Sequence, residues 1–396
     1  MFDYNQIIDF DRGKFIRIDV GLEPTFPLFF GYDIEDHFIE TLDRATRRHP
    51  VDRVFLLTDA FIFDLYGEPF FKKIKRTFPV TKIYLLPRGE TCKTFDVLQQ
   101  LCDDLVGKGV SKRSLLIAFG GGSVGNITGL AAGLIFRGVR FVEVPTTITH
   151  QTDGMLSNKQ AVNGKYGKNN FGLFHAPVFA WADTRYTETE PLRFKRSGII
   201  EGIKNGLIDQ QSFIPFLEGA IRRNGDYSSQ QLTDLCYKII RSKLEILQKD
   251  PTERHYGIIL EYGHTFAHAI EWLSKGALTH GEAVTFGMKL AAELSLKLGY
   301  IDGEAVGLHY RLIDEVLALR PTLPGHLNPS MIFKTMVVDN KKIGRDVRYV
   351  LLKRIGQCKK GHGDYLLHVD EKIVQRVIED FFKKTMSPQS NSVPVK

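Results

Sequence analysis

Six short runs in the first half of the chain are apolar on largely consecutive positions: FIRIDV (15–20), VFLLTD (54–59), KIYLLP (82–87), SLLIAFG (114–120), FVEVPTT (141–147) and VFAWAD (178–183). Runs rich in β-branched and aromatic residues fit strands covered on both faces. Between them lie segments of helical spacing, such as FDVLQQLCDDLVGKG, closed by glycine. This alternation predicts an open α/β sheet. From about residue 185 the period changes. RFKRSGIIEGIKNGLID, QQLTDLCYKIIRSKLEILQ, YGHTFAHAIEWLS and GEAVTFGMKLAAELSLKLG all place apolar residues at helical intervals. A helical second domain is expected, with a small hairpin near VRYVLLKR (347–354). The last stretch, TMSPQSNSVPVK, is polar and rich in Pro and Ser, and reads as a disordered tail. The expected organisation is an α/β domain over 1–184, an all-α domain over 185–384 and a tail over 385–396.

Composition narrows the function classes. At 396 residues the chain can bury two cores. An apolar share of 43% with 25% charged residues is that of a soluble globular protein. No apolar run approaches the roughly 20 residues that a membrane span requires. The start, MFDYNQIIDFDRGKF, lacks the basic-then-apolar order of a signal peptide, so a cytoplasmic location is expected. Cys92, Cys102, Cys236 and Cys358 form no CxxC pair, which argues against a zinc ribbon or a disulfide framework. The net charge of +7 is spread along the chain, and short clusters such as KKIKR (72–76) read as a solvated helix face. Nucleic acid is therefore not an expected partner, whereas a basic cleft for a small phosphorylated molecule would use the surplus.

Three segments carry candidate chemistry. In LEYGHTFAHAIEWLSKGALTHGEAV (260–284), His264 and His268 stand four apart and share a helix face, and His280 follows after a glycine-containing turn. Such a cluster points to a bound metal, with Glu261, Glu271, Glu282 or the more distant Glu201 as carboxylate candidates. Spacing does not decide which histidines ligate. In FGGGSVGNITGLAAG (119–133), a strand runs into a helix through glycines that let the backbone approach a pyrophosphate. PRGETCK (87–93) offers Glu90 and Lys93 for a ribose and a phosphate. Residues 136–172 are dense in Arg137, Thr146, Thr147, Asp153, Lys159, Asn163, Lys168 and Asn169, which together suit a lining for hydroxyls and phosphate.

In this order, GGGSVGN, RGVRFVEVPTT, KQAVN with GKN, IIEGIKNGLI, EYGHTFAHAIE and HGEAV resemble the sugar phosphate cyclases, the family of 3-dehydroquinate synthase, from roughly residue 55 to 355. The resemblance implies an NAD-binding α/β domain followed by an all-α metal-binding domain, and a homodimer. It implies zinc or cobalt held by Glu201, His264 and His280, with His268 a substrate-contacting or proton-relaying group. It places Asp59, Glu90, Lys93, Gly121, Gly122, Ser123, Thr146 and Thr147 at NAD-contacting positions. Asp153, Lys159, Asn169, Lys204 and Lys243 match substrate-binding positions, and Arg137, Lys168 and Arg348 would grip the phosphate. Glu261, or the leaving phosphate itself, would accept a proton, with His268, Lys159 and Lys204 as further catalytic groups.

Departures from the dehydroquinate synthase pattern bear on the substrate. Where that enzyme has an arginine for the substrate carboxylate, seven residues before the metal histidine, this chain has Gly257. Its asparagine three before the histidine is Glu261, and the acid after GGGxxG is Asn126. These changes look like the branch that makes 2-deoxy-scyllo-inosose from glucose 6-phosphate, a substrate without a carboxylate. Branches acting on sedoheptulose 7-phosphate, 3-dehydroquinate synthase itself and a metal-dependent alcohol dehydrogenase are the competing enzyme readings. A metal-binding regulatory protein without turnover is the non-enzymatic one. His150 and Asn158 are polar where smaller or apolar residues are expected.

Overall fold

The computed structural model describes residues 13–20, 25–78, 80–337 and 346–386. It divides into two compact units, the first running to Glu201 and including Ala220–Thr252, the second comprising Gly202–Gly219 and the chain from Glu253 onward. The expected tail lies, beyond Met386, outside the described residues.

In the first unit, β1 (Phe15–Val20), β2 (Phe26–Gly31), β3 (Val54–Asp59), β4 (Thr81–Leu86), β5 (Leu115–Gly120), β6 (Arg140–Pro145) and β9 (Ala180–Asp183) form one sheet in the order β1-β2-β9-β6-β5-β3-β4. All pairings are parallel except that of β1 with β2. The period of two sorts side chains to opposite faces. On β3, Val54 and Leu56 join the core beneath α1 (Phe38–Thr46) and α3 (Glu68–Thr77). Phe55 and Leu57 join the core beneath α4 (Phe95–Gly107) and α5 (Gly122–Leu134). A single turn, α2 (Ala60–Ile62), follows β3.

Two strand features differ from the sequence expectation. FPLFFG forms β2 despite Pro27, because parallel pairing with β9 begins only at Leu28 and Pro27 faces β1 alone. The polar segment after α6 (Ile148–Thr152), which is not among the expected strands, is an antiparallel hairpin of β7 (Lys159–Gly164) and β8 (Gly167–Phe174). The helix α9 (Ser229–Leu247) belongs to this first unit, and α7 (Leu192–Ile208) starts there.

The second unit is built on α11 (His280–Lys297), buried continuously from Gly281 to Ala292. A helix apolar on all sides must sit inside a bundle. Accordingly α10 (His264–Leu273), α12 (Gly303–Tyr310) and α14 (Glu371–Met386) pack on it, and α13 (Pro329–Met336) packs on α10 and α14. The short helix α8 (Ile214–Ala220) also falls largely in this unit. The expected hairpin at 347–354 is instead two short pairings, β10 (Arg348–Tyr349) with β13 (Leu367–His368) and β11 (Leu352–Arg354) with β12 (Gln357–Cys358).

One polar group sits within the α5 side of the sheet. Glu143 on β6 is buried beside His150, with Nε2 3.7 Å from its Oε2, and accepts from Gln160 Nε2 at 3.4 Å. Burial raises its pKa from an ordinary 4.5 to about 8. A carboxyl whose folded pKa is raised stays protonated while the unfolded chain ionises, so stability falls as pH rises from 4.5 towards 8. Between pH 6.5 and 8 the loss is about 2 kcal/mol. Glu143→Gln is expected to flatten that part of a stability–pH profile measured by urea unfolding; parallel slopes in the two proteins would refute the assignment.

Candidate functional site

The candidate cofactor residues share one physical origin. Asp59 ends β3, Gly121–Ser123 follow β5, Thr146 and Thr147 follow β6, and Glu90 and Lys93 follow β4. In a parallel sheet these positions lie along a single carboxyl edge, where open α/β folds bind ligands. Gly121 caps α5, whose first N–H groups have no partner within the helix. A Cβ on Gly122 would meet no atom within 4 Å, so the backbone there is open to a ligand. Thr146 Oγ1 is buried and, among the described residues, has no hydrogen-bond partner. Asp59 caps α2 through one carboxylate oxygen, 3.1 Å from Ile62 N. A glycine turn, a helix N-terminus and a buried hydroxyl fit a dinucleotide pyrophosphate.

Beside this edge a polar cluster joins residues that the sequence lists apart. Glu90 accepts from Ser123 Oγ at 3.0 Å and Asn163 Nδ2 at 3.1 Å, and its Oε2 lies 3.1 Å from Lys168 Nζ. Lys93, nearly buried, donates to Asn169 Oδ1 at 2.6 Å. Lys243 on α9 donates to Asp153 Oδ1 at 2.6 Å and to its carbonyl at 3.2 Å. Lys159 is exposed at the start of β7. Arg137 is not brought to this cluster. It follows the far end of α5, whose 13 residues separate it from Ser123 by about 20 Å. Asn126 takes a structural part, donating to Gly122 O and accepting from Ala161 N.

The group that converges and could hold a metal ion is Glu201, His264 and His280, whose donor atoms all lie within 4.8 Å of one another. It is not the i,i+4 pair: His268 stands beside His264, ring centroids 5.4 Å apart, outside that group. Local sequence explains the histidines' placement. Gly263 takes a left-handed φ of +77°, and a Cβ there would lie 2.7 Å from Met288 N, so only glycine lets α10 start against α11. Thr279 and Glu282 form a capping box that sets His280 on the first turn of α11. Glu282 is thereby accounted for as a cap.

Hydrogen bonds fix the imidazole tautomers. His264 Nδ1 donates to Tyr262 O at 3.2 Å, and His280 Nδ1 to Glu271 Oε2 at 3.0 Å. Each Nε2 is then a lone-pair donor, and a carboxylate completes a donor set suited to zinc or cobalt. Glu271, one of the sequence's carboxylate candidates, orients the His280 ring. Tyr262 is itself held by His309, with its hydroxyl 3.0 Å from Nε2. That support was not legible in sequence, since the two residues are 47 positions apart. Lys204 is buried one turn beyond Glu201 on α7, and Glu261 ends the 3-10 turn before His264. Arg348 pairs with Asp346 at 3.7 Å, and its carbonyl accepts from Thr265, the residue after His264.

Comparison with known proteins places this geometry. Residues 83–197 match the N-terminal 3-dehydroquinate synthase family model and 198–342 its C-terminal counterpart. A 2-deoxy-scyllo-inosose synthase of Streptoalloteichus tenebrarius is 35% identical over 360 residues, covering 90% of this chain and 92% of that protein. A crystal structure of 2-deoxy-scyllo-inosose synthase complexed with carbaglucose-6-phosphate, NAD+ and Co2+ superimposes with a TM-score of 0.81 at 31% identity, over 93% of this chain and 99% of that one. A 2-epi-5-epi-valiolone synthase of Streptomyces hygroscopicus shares the fold, with a TM-score of 0.77 at 22% identity over 91% of this chain and 97% of that one.

Metal content per chain, measured by elemental analysis after dialysis against cobalt, should separate ligands from neighbours. Glu201→Ala and His280→Ala are expected to lose the ion, and Glu271→Ala to weaken binding by about tenfold or more. His268→Ala is expected to retain it; loss there would move the donor set to the i,i+4 pair.

Proposed function

The chain belongs to the 3-dehydroquinate synthase family, and on that premise we propose that it is an NAD- and metal-dependent sugar phosphate cyclase. In this reading it is a carbon–oxygen lyase that converts glucose 6-phosphate into 2-deoxy-scyllo-inosose and inorganic phosphate. The observation that carries the proposal is the convergence of Glu201, His264 and His280 in a chain this similar to 2-deoxy-scyllo-inosose synthases. Gly257 supports the choice of substrate. It offers no donor fork for a carboxylate, and glucose 6-phosphate has none.

The reaction eliminates phosphate and closes a carbocycle at the oxidation level of the starting sugar, so the cofactor is regenerated in each turnover. When bound, NAD supplies reversible hydride acceptance and the divalent ion lowers the pKa of the hydroxyl it engages. The chain's own residues do the remaining work. Gly121, Gly122 and Ser123 present backbone and hydroxyl groups to the pyrophosphate, with Thr146 and Thr147 beside them and Asp59, Glu90 and Lys93 along the same edge. Lys243, oriented by Asp153, and Asn169 hold sugar hydroxyls. Lys168 and Arg348 grip the phosphate and favour its departure as an anion. Glu261 accepts the proton from the carbon next to the oxidised centre, and His268, Lys159 and Lys204 move protons between hydroxyls as the ring opens and recloses. Arg137 has no part within this chain's own cluster.

We place the enzyme in the cytoplasm as a homodimer. No helix among the described residues is long and apolar enough to cross a membrane. The dimer is supported by β8, which pairs only with β7 among the described residues and exposes Phe171 and Phe174, with Phe95 against Phe171.

The test is phosphate release from glucose 6-phosphate with NAD and cobalt supplied. Stoichiometric phosphate without accumulating NADH is expected, and Lys243→Ala should lower kcat/KM by about a hundredfold, as for loss of a charged hydrogen bond made in the transition state. Net NADH production would make the protein an alcohol dehydrogenase. Release from sedoheptulose 7-phosphate alone would replace the substrate.

A further inference from the structure

We propose that His150 is a positioning residue for the bound dinucleotide: by donating its Nδ1 hydrogen to the Gly120 carbonyl, it orients the peptide that opens the glycine turn. The inference rests on reading that turn as the NAD site. His150 belongs to none of the metal or substrate groups above, and it is buried with its neighbours Gln151 and Thr152 on α6.

The geometry is specific. His150 Nδ1 lies 3.2 Å from Gly120 O, and a carbonyl only accepts, so the hydrogen is on Nδ1. The same carbonyl accepts Thr146 N at 3.0 Å, so both of its lone pairs are engaged. Gly120 C=O and Gly121 N–H belong to one planar trans peptide and point in opposite directions. Anchoring the carbonyl towards Thr146 at the end of β6 therefore turns the Gly121 N–H the opposite way and fixes the peptide from which the glycine turn and α5 begin. His150 N is itself 3.3 Å from Thr147 Oγ1, tying the histidine to the second strand end that lines the site.

The ring is also seated by shape. A Cβ on Gly125 would come within 2.3 Å of Cε1, and one on Gly154 within 2.9 Å of Cδ2. The imidazole thus occupies the room that two glycines leave, against the first turns of α5 and the 3-10 turn Gly154–Leu156. On its other side, Nε2 faces Glu143 Oε2 at 3.7 Å. A lone pair facing a buried carboxyl favours the protonated acid, which leaves both groups neutral. Asp153, after α6, and Lys93, before α4, are the other charged groups acting on the ring, with opposite effects. Burial holds the imidazole neutral, its pKa lowered to about 4.

Three variants of the full chain test the idea, with the NAD dissociation constant measured by calorimetry and metal content measured alongside. The amide nitrogen of Asn can take the place of Nδ1, whereas that of Gln reaches the place of Nε2. His150→Asn is expected to bind NAD within about threefold of the parent, while His150→Gln and His150→Ala weaken it by about tenfold, the equivalent of one hydrogen bond. Metal content should stay at the parent level in all three. Equal losses in the Asn and Gln variants would overturn the proposal, as would parental affinity in His150→Ala. If His150→Ala does not fold, judged by its thermal melt, the Asn and Gln pair decides alone. A parent chain that binds no NAD would instead remove the cofactor reading of the turn, and the proposal with it.

Discussion

A parallel sheet ends all its strands on one edge, and the candidate cofactor site follows from that constraint. β3, β4, β5 and β6 are neighbours running the same way, so Asp59, Glu90, Gly121 and Thr146 become neighbours although up to 87 positions separate them. β3, β5 and β6 are buried almost throughout and paired on both sides, whereas β4 is a partly exposed edge strand. The loops at their ends inherit that rigidity. Binding groups are therefore carried on short turns whose anchors do not move, which keeps the entropic cost of binding low.

The same economy appears in the histidines. His150, His264, His280 and His309 each give the Nδ1 hydrogen to a fixed acceptor: Gly120 O, Tyr262 O, Glu271 and Ala305 O. Each ring is thereby committed to one tautomer and one orientation. What differs is the surroundings of the ring: the other members of the candidate metal group for His264 and His280, a tyrosine hydroxyl at Nε2 of His309, a buried carboxyl at Nε2 of His150. One local device serves coordination, support and loop placement.

Much of the fold was legible because burial on two faces leaves a plain mark. VFLLTD and SLLIAFG announce β3 and β5 through uninterrupted apolar runs, and FVEVPTT announces β6 through one broken by Glu143. FPLFFG did not, since a proline argues against a strand unless one knows that pairing on its second side starts one residue later. The hairpin of β7 and β8 was hidden by its polarity, which comes from facing outward along most of β8. At the site, Thr279 and Glu282 are a readable cap, but spacing could not choose among four carboxylates. Glu201 joins the histidines and Glu271 orients one of them, and both follow from three-dimensional packing. The hydrogen-bonded pairs Lys93 with Asn169 and Tyr262 with His309 leave no periodic trace for the same reason.

The meeting of α10 and α11 has a mechanical meaning. A Cβ on Gly287 would fall 2.2 Å from Gly263 O, so at that point the two helices touch through main-chain atoms, with no side chain as a cushion. Main-chain contact has no alternative rotamers through which to yield. His264 and His280 each stand on the first turn of one of these helices, so the gap between their backbones is set like the jaws of a locked caliper. An ion of another radius would have to displace the imidazoles against their Nδ1 hydrogen bonds, with the scaffold held at a single gauge.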